Sequence, residues 1–252
     1  MSNDFPEMMN WFDQGGSAYE RFRPGYPPKL STFLASHSPH DQLAVDVGCG
    51  NGQLTELLTR HFRRVIGLDP SADQIANATF NERITYKCAK AENLPVADGS
   101  ASLVTAAQAA HWFDLPYFFR EVRRIIAPKG VVALISYGVL NIASHLNDRF
   151  QRFYWDEIGH YWPPARRLVE NGYQTIDFPF EEIPPPHMEI SLSWSLEEFL
   201  GYLSTWSSVR IAREAGREDV LRNFANDISH AWGEKSTRRS ITWPVNMRVG
   251  HE

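Results

Sequence analysis

The chain has 252 residues, of which 43% are hydrophobic and 22% are charged, enough for a full hydrophobic core in a soluble domain. Its net charge of -5 gives no general positive field, so no nucleic-acid partner is expected. Two cysteines are too few for a disulfide framework, no metal-binding pattern is present, and no apolar run has the length of a membrane span. We therefore expect a cytoplasmic protein that binds no metal and no membrane.

The N-terminal arm, residues 5–28, combines aromatic residues with arginines and closes on prolines that end any helix. One interpretation is an arm that its aromatic rings pack onto the domain surface. The other is a lid, in which Arg23 and Tyr19 close over a bound ligand and Tyr26 meets the substrate. A guanidinium suits this role because it binds a carboxylate through two parallel donors. The sequence leaves both interpretations open.

A glycine turn follows a predicted helix over residues 28–38. Leu43 to Val47 predicts a buried strand, glycines occupy every second position from 48 to 52, and leucines then recur at helical spacing. This order is typical of a site where a nucleotide-like ligand lies against backbone amides. A dinucleotide pattern would need a glycine where Gln53 stands. A turn without a ligand is the alternative, and Cys49 is interpreted as a small residue that fits the turn rather than as a nucleophile.

The second predicted strand, Arg64 to Asp69, ends in a carboxylate about twenty residues after the glycine turn. An acid at this position accepts hydrogen bonds from the ribose hydroxyls of a nucleotide. The alternative is a helix N-cap before the turn that begins at Pro70. With the glycine turn upstream, we favour ribose binding.

Predicted strands at 84–89, 101–106 and 131–136 continue the alternation, with an amphipathic helix at 118–126. This alternation predicts an α/β fold in which helices cover both faces of a parallel sheet. Ligands bind such sheets beyond the carboxyl ends of the strands. We therefore expect the site residues to meet at that edge.

The end of the fourth predicted strand carries Gln108, His111 and Trp112. His111 is the one candidate for a general base, with a cofactor contact or a structural hydrogen bond as alternatives. Trp112 is interpreted as a wall of the ligand site or as a packing residue. If His111 and Trp112 contact a ligand, that ligand lies at the carboxyl edge of the sheet.

After the fifth strand, residues 141–175 are predicted to be helical and rich in aromatic residues, among them Trp155 and Tyr161. The remaining predicted elements are strands at 178–183 and 188–194, helices at 196–206 and 219–232, and a closing strand at 241–249. We predict a single domain over residues 1–252, made of an arm (1–28), a core (40–137), a helical cap (141–175) and a C-terminal part (176–252).

Five segments carry a family resemblance: VDVGCGNGQLT, GLDPS, AENLP, AHWFD and IAPKGV. Their order and spacing resemble the small-molecule (methyltransferase type 11-like) class I S-adenosylmethionine-dependent methyltransferases. With the arm segment YERFRPGYP and the C-terminal segment WPVNMRVG, the chain resembles the branch that contains trans-aconitate methyltransferases. The resemblance is strong over 40–137 and weaker elsewhere. It implies a Rossmann-like fold with a seven-stranded, mostly parallel sheet, an antiparallel closing strand and a helical insertion after strand five that covers the substrate pocket.

The resemblance also implies the cofactor, S-adenosyl-L-methionine, with S-adenosyl-L-homocysteine as product. Where the family often has an adenine-binding aspartate this chain has Lys90, so Ala91 or Glu92 is expected to cover the adenine. The residues assigned to the cofactor are Tyr19, Arg23, Asp46, Gly48, Cys49, Gly50, Gly52, Leu54, Asp69, Pro70, Ala91, Glu92 and Gln108. Those assigned to the substrate are Tyr26, Trp112, Trp155 and Tyr161, and His111 is the catalytic candidate.

The sequence thus predicts a methyltransferase that acts on a small molecule by in-line displacement, at an oxygen and with carboxylates among the candidates. The stretch from Gln108 to His111 lacks the Asn/Asp-Pro-Pro-aromatic pattern of enzymes that methylate exocyclic amines. An NAD-dependent oxidoreductase and a non-catalytic cofactor-binding protein of the same fold are the alternatives. The acceptor and the oligomeric state are not specified by the sequence.

Overall fold

The computed structural model describes residues 24–252, and its main feature is a mixed β-sheet. Within those residues eight strands pair in the order β3-β2-β1-β4-β5-β8-β6, with β7 pairing to β8. The strands are β1 Leu43–Val47, β2 Arg64–Asp69, β3 Ile84–Cys88, β4 Ala101–Ala107, β5 Ile126–Tyr137, β6 Glu181–Glu182, β7 Met188–Trp194 and β8 Arg239–His251.

The sheet confirms the predicted α/β, Rossmann-like class. Strands β1 to β5 are parallel, and β8 lies antiparallel to β5 as expected of the closing strand. The strand predicted over 178–183 is reduced to the two residues of β6. Pro179 and the prolines from 184 to 186 explain this, because proline cannot donate to a strand ladder.

The helices are α1 Pro28–His37, α2 Gln53–Leu58, α3 Ala72–Ala76, α4 Leu115–Ile125, α5 Ser144–Arg152, α6 Arg166–Glu170, α7 Leu196–Ser204, α8 Ser207–Glu214 and α9 Glu218–Trp232. Helix α4 begins earlier than predicted, because Pro116 occupies its first turn, where the missing N–H is not needed. The sequence did not predict α8, which starts after the extended backbone of Trp206.

The described chain divides into two compact units. The sheet unit comprises Gly25–Val139, Ala165–Ile190 and Trp243–Glu252, and the helical unit comprises Leu140–Pro164 and Ser191–Thr242. The boundary at Pro164 divides the segment predicted as a helical cap between the two units. A single functional domain therefore stays a prediction.

The helical unit has an aromatic core. Phe153 and Phe224 stack with ring centroids 3.8 Å apart, and Tyr154 packs edge-on against Trp206 at 5.5 Å. Phe153 and Tyr154 are fully buried. Much of the aromatic content after residue 140 therefore serves packing.

A buried arginine organises one edge of the sheet unit. Arg248 of β8 is 8% exposed and donates from Nη1 to the carbonyl oxygens of Tyr173 and Ile176, both at 3.1 Å. Its Nε and Nη2 donate to Glu182 at 2.8 and 2.6 Å. One guanidinium thus fixes the turn that follows α6 and satisfies carbonyls that would otherwise be buried without a donor.

We expect Arg248→Met to lower the free energy of unfolding by about 3 kcal/mol, because it leaves buried carbonyl oxygens without donors. Urea denaturation of the full chain measures this loss. The control is Arg120→Met on the exposed side of α4, where we expect a change within about 0.5 kcal/mol. Equal stability of the two variants would show that the arginine is dispensable for the turn.

Candidate functional site

The glycine turn between β1 and α2 has three residues with positive φ: Gly48 at 70°, Gly50 at 56° and Gly52 at 94°. A Cβ on Gly48 would overlap Ala109, and one on Gly52 would overlap the Tyr86 hydroxyl. At Gly50 the nearest atom would lie 3.6 Å away, at an ordinary contact distance. Two of the glycines therefore serve close packing, whereas Gly50 is required by its positive φ rather than by a close neighbour.

Three amides of this turn donate inside the protein, so the prediction that bare amides face a ligand does not extend to Gly48, Cys49 and Gly50. The N–H groups of Gly48 and Cys49 both donate to the carbonyl oxygen of Leu68, at 2.7 and 3.0 Å. The N–H of Gly50 donates to Oδ2 of Asp69 at 2.9 Å. These hydrogen bonds hold the turn against the end of β2. The N–H groups of Gly48 and Gly50 therefore stabilise the turn itself.

Asp69 stands at the carboxyl end of β2, as the sequence predicts. Its Oδ2 accepts from Gly50 and its Oδ1 from the N–H of Ser71, both at 2.9 Å. A carboxylate has about four lone-pair directions, so two remain for a ligand. The alternative role as helix N-cap is taken by Ser71, whose hydroxyl accepts from the N–H of Gln74. The next residue, Pro70, is exposed.

Asp46 lies in the interior, 1% exposed. Its Oδ2 accepts from the Thr55 hydroxyl at 2.7 Å and its Oδ1 from the Thr105 hydroxyl at 2.8 Å. Burial raises the pKa of Asp46 to about 6, and the two hydroxyl hydrogen bonds oppose that rise. Burial rather than a lack of lone pairs separates Asp46 from Asp69, and contact of Asp46 with the cofactor stays a prediction.

The backbone after β4 holds Gln108 in the left-handed region at φ 54°. Its N–H donates to Ile135 at 2.8 Å and its side-chain Nε2 to the carbonyl oxygen of Tyr137 at 3.1 Å. The Tyr26 ring lies 6.3 Å from the ring of Tyr137. The end of β4 is therefore tied to the end of β5, with Tyr26 beside them.

His111 lies in the 3-10 turn Ala110–Trp112 that follows β4. Its Nδ1 forms a 3.0 Å hydrogen bond with the hydroxyl of Tyr173. Burial, with a smaller effect of the Arg166 charge, lowers the pKa of His111 to about 4, so the ring is neutral near pH 7. Tyr173 and Arg166 could not be predicted as neighbours of His111, because they lie outside the sequence motifs and approach it only in the folded chain.

Comparison with known proteins identifies the family. A sequence model described as "Methyltransferase domain" matches residues 45–134. A protein of Dictyostelium discoideum named as a methyltransferase is 34% identical, over 98% of each chain. A solved structure described as a type II methyltransferase from Anaeromyxobacter dehalogenans is 39% identical, with a TM-score of 0.85 over 91% of this chain and 98% of that one. This chain is a class I S-adenosylmethionine-dependent methyltransferase.

The chain is also similar to the malonyl-[acyl-carrier protein] O-methyltransferase of Pectobacterium atrosepticum. The two are 31% identical over 56% of each chain. The comparisons do not favour the oxidoreductase alternative. They also do not confirm the narrower resemblance to trans-aconitate methyltransferases, which stays a prediction.

The other cofactor candidates of the methyltransferase are less open than expected. Leu54 and Ala91 are buried, and Glu92 accepts a 2.9 Å hydrogen bond from the N–H of Asp114 at the start of α4. Burial raises the pKa of the Cys49 thiol, which makes the nucleophile interpretation less favourable still. Contact of these four residues, Leu54, Ala91, Glu92 and Cys49, with the cofactor stays a prediction.

The substrate candidates fall in different parts of the methyltransferase. Trp112, in the sheet unit, is 62% exposed, and its ring centroid lies 4.8 Å from that of His111. In the helical unit, Trp155 is 49% exposed and Tyr161 is partly buried. Tyr19 and Arg23 lie outside the described residues, so their roles stay predictions.

Residues 24–252 show neither a metal cluster nor a membrane-spanning helix. They contain no group of three or more histidine, cysteine or acidic residues that could hold a metal ion. In the same part of the chain, no helix combines the length and hydrophobicity needed to cross a membrane.

The raised pKa of Asp46 predicts a pH-dependent stability. The folded-state value of about 6 exceeds the ordinary value of 3.8, so between these pH values the unfolded chain has released a proton that the folded chain still holds. The contribution of Asp46 to the free energy of unfolding is therefore fully present below pH 3.8 and falls as pH rises to about 6.

We expect the stability of the native chain relative to Asp46→Asn to decrease by up to about 3 kcal/mol between pH 4 and pH 7. Urea denaturation at a series of pH values measures this difference. Asp41→Asn, at an exposed position, is the control and should show a much smaller slope. If the stability of the native chain relative to Asp46→Asn instead increased with pH, the two hydroxyl hydrogen bonds would lower the pKa of Asp46 more than burial raises it.

Proposed function

We propose that this methyltransferase methylates an oxygen of a small molecule, and that the oxygen belongs to a carboxylate. The observation that carries the proposal is a cation beside the end of β4. The Arg166 charge acts on both His111 and Tyr173, and α6 packs against the 3-10 turn that contains His111. A guanidinium here would bind an anionic acceptor at the edge where ligands of parallel sheets bind.

The cofactor part of the proposal rests on the glycine turn. Gly50 binds the Asp69 carboxylate through its N–H, and this carboxylate retains lone pairs for two ribose hydroxyls. The cofactor S-adenosyl-L-methionine supplies an electrophilic methyl group on a positively charged sulfur. Asp46 and the β2 carbonyl oxygen would keep the turn in shape, and Gln108 would line the methyl side.

A carboxylate acceptor agrees with the groups at the end of β4. Such an acceptor is already a nucleophile at neutral pH, so it needs orientation and exclusion of water but no base. Arg166 would supply the orientation, and the exposed Trp112 would supply an apolar wall. The name of the malonyl-[acyl-carrier protein] O-methyltransferase supports the proposal, because a malonyl group carries a carboxylate.

We expect Asp69→Ala to weaken binding of S-adenosyl-L-homocysteine at least about tenfold, through loss of two charge-assisted hydrogen bonds. Isothermal titration calorimetry measures the dissociation constant. Asp73→Ala is the matched control, since it removes a nearby exposed acid that is not bonded to the glycine turn. Unchanged affinity in the Asp69 variant would remove the ribose assignment.

The acceptor is tested with a panel of mono-, di- and tricarboxylic acids and matched alcohols, using radiolabelled cofactor. We expect methyl esters to form. With a turned-over acid, we expect Arg166→Met to raise KM about ten- to a hundredfold, the value of one charge-assisted contact. S-adenosyl-L-homocysteine affinity should be unchanged.

Arg167→Met is the control for this variant, because Arg167 is the exposed neighbour on the same helix. Methylation of the alcohols alone would contradict the carboxylate proposal. Cofactor binding without turnover of any compound in a broad panel would favour the non-catalytic alternative.

A further inference from the structure

The pair formed by His111 and Tyr173 points to a specific role for the histidine. We propose that the Tyr173 hydroxyl holds His111 as the neutral tautomer with its proton on Nε2, so that His111 offers the acceptor a hydrogen-bond donor rather than a base. The tautomer follows from the structure alone, and its use toward the acceptor rests on the proposed function. Tyr173 is then a positioning residue that determines what His111 can do.

The contact between the two side chains is short and enclosed. His111 Nδ1 and the Tyr173 hydroxyl oxygen are 3.0 Å apart, and the ring planes are inclined by only 29°. Tyr173 is fully buried, whereas His111 is partly exposed. One ring nitrogen is therefore used by the protein, while Nε2 makes no hydrogen bond to any of residues 24–252.

The direction of this hydrogen bond follows from the groups around the phenol. A phenol has one hydrogen to donate and lone pairs to accept with. Burial raises the pKa of Tyr173, and the backbone N–H of His111, the Arg166 charge and the backbone N–H of Ala110 oppose the rise. The His111 ring nitrogen is the one hydrogen-bond partner of the Tyr173 hydroxyl among residues 24–252, so the phenol hydrogen is directed to Nδ1. The reverse direction would leave the buried phenol hydrogen without an acceptor among the described residues.

The charge state of the ring completes the assignment. The groups that act on His111 are the Arg166 cation and the neutral Tyr173 phenol, and neither favours an imidazolium. A neutral imidazole carries one hydrogen, and a nitrogen that accepts a hydrogen bond does not hold it. With Nδ1 as the acceptor, the hydrogen is on Nε2.

The positive φ angles before and at Tyr173 agree with a defined position for its phenol. Gly172 and Tyr173 both have φ of 63°, a conformation that is unfavourable for a bulky aromatic residue. The carbonyl of Tyr173 is bound by the buried Arg248 at 3.1 Å, which compensates for that conformation. A strained backbone that delivers one hydroxyl to a site histidine agrees with a positioning role.

This tautomer distinguishes between classes of acceptor. Methylation of a carboxylate forms an O–CH₃ bond and breaks the S–CH₃ bond, whose electron pair returns to sulfur, and no proton is released. Methylation of an alcohol releases a proton, and His111 has no free nitrogen to take it, because Nδ1 accepts from Tyr173 and Nε2 already carries hydrogen. His111 and Arg166 together would orient a carboxylate oxygen.

The tautomer is measured by ¹⁵N NMR of the full chain labelled at histidine, without cofactor or acceptor, between pH 6 and pH 8. The His111 signals are assigned from their loss in His111→Gln. We expect a protonated Nε2 and an unprotonated Nδ1, and a shift toward a mixture of tautomers in Tyr173→Phe. Tyr117→Phe, on the exposed side of α4, should leave the signals unchanged. Hydrogen on Nδ1 in the native chain, or no response to Tyr173→Phe, would overturn the proposal.

Kinetics with a carboxylic acid from the panel test the role in turnover. Glutamine can donate near the Nε2 position but cannot act as a base, so His111→Gln should keep kcat within about tenfold, whereas His111→Phe should lose about ten- to a hundredfold more. Equal, large losses in both variants would indicate a base and contradict the donor role. Thermal unfolding confirms that each variant is folded. If no carboxylate is methylated, the proposed function fails, while the NMR result still decides the tautomer.

Discussion

The buried carboxylate of Asp46 joins the parts on which the site depends. It lies on β1 and accepts hydrogen bonds from Thr55, in the first turn of α2, and from Thr105 on β4. Removing a carboxylate from water is unfavourable, and the raised pKa records that penalty. In return, one side chain fixes the helix after the glycine turn and the strand that leads to His111. The two halves of the site are thus held at the same edge of the sheet.

The glycine pattern correctly predicted the turn after β1, but the hydrogen bonds of that turn differ from those expected. The pattern predicted backbone amides that face a ligand, but the amides of Gly48, Cys49 and Gly50 bind Leu68 and Asp69. Two of the three glycines allow close approach of side chains from elsewhere in the fold. The ribose assignment therefore depends on the remaining lone pairs of Asp69.

Local patterns predicted most of the sheet unit, since the strands up to β5 are apolar runs bounded by glycine, proline and acids. They failed where pairing depends on distant residues. The strand around Glu181 was overestimated because the flanking prolines limit its pairing with β8, and α8 was missed because one helix was expected up to Trp206. Arg166 and Tyr173 had no motif to mark them, and the segment around Arg248 did not show what the guanidinium binds. The roles of Tyr173 and Arg248 arise from contacts across 62 to 75 residues of sequence, which only the fold brings together.

The chemistry at His111 illustrates why a residue type does not determine a role. A histidine at the end of a central strand has the correct position for a base, and its pKa alone would allow a neutral ring to accept a proton. The deciding factor is which ring nitrogen of His111 remains available, and that depends on the buried Tyr173, whose hydroxyl bonds only Nδ1 among the described residues. With Nδ1 occupied, the histidine and Arg166 both present hydrogen to the acceptor. Two donors and no base suit an acceptor that is already an anion, and for this reason we connect the geometry to a carboxylate rather than to an alcohol.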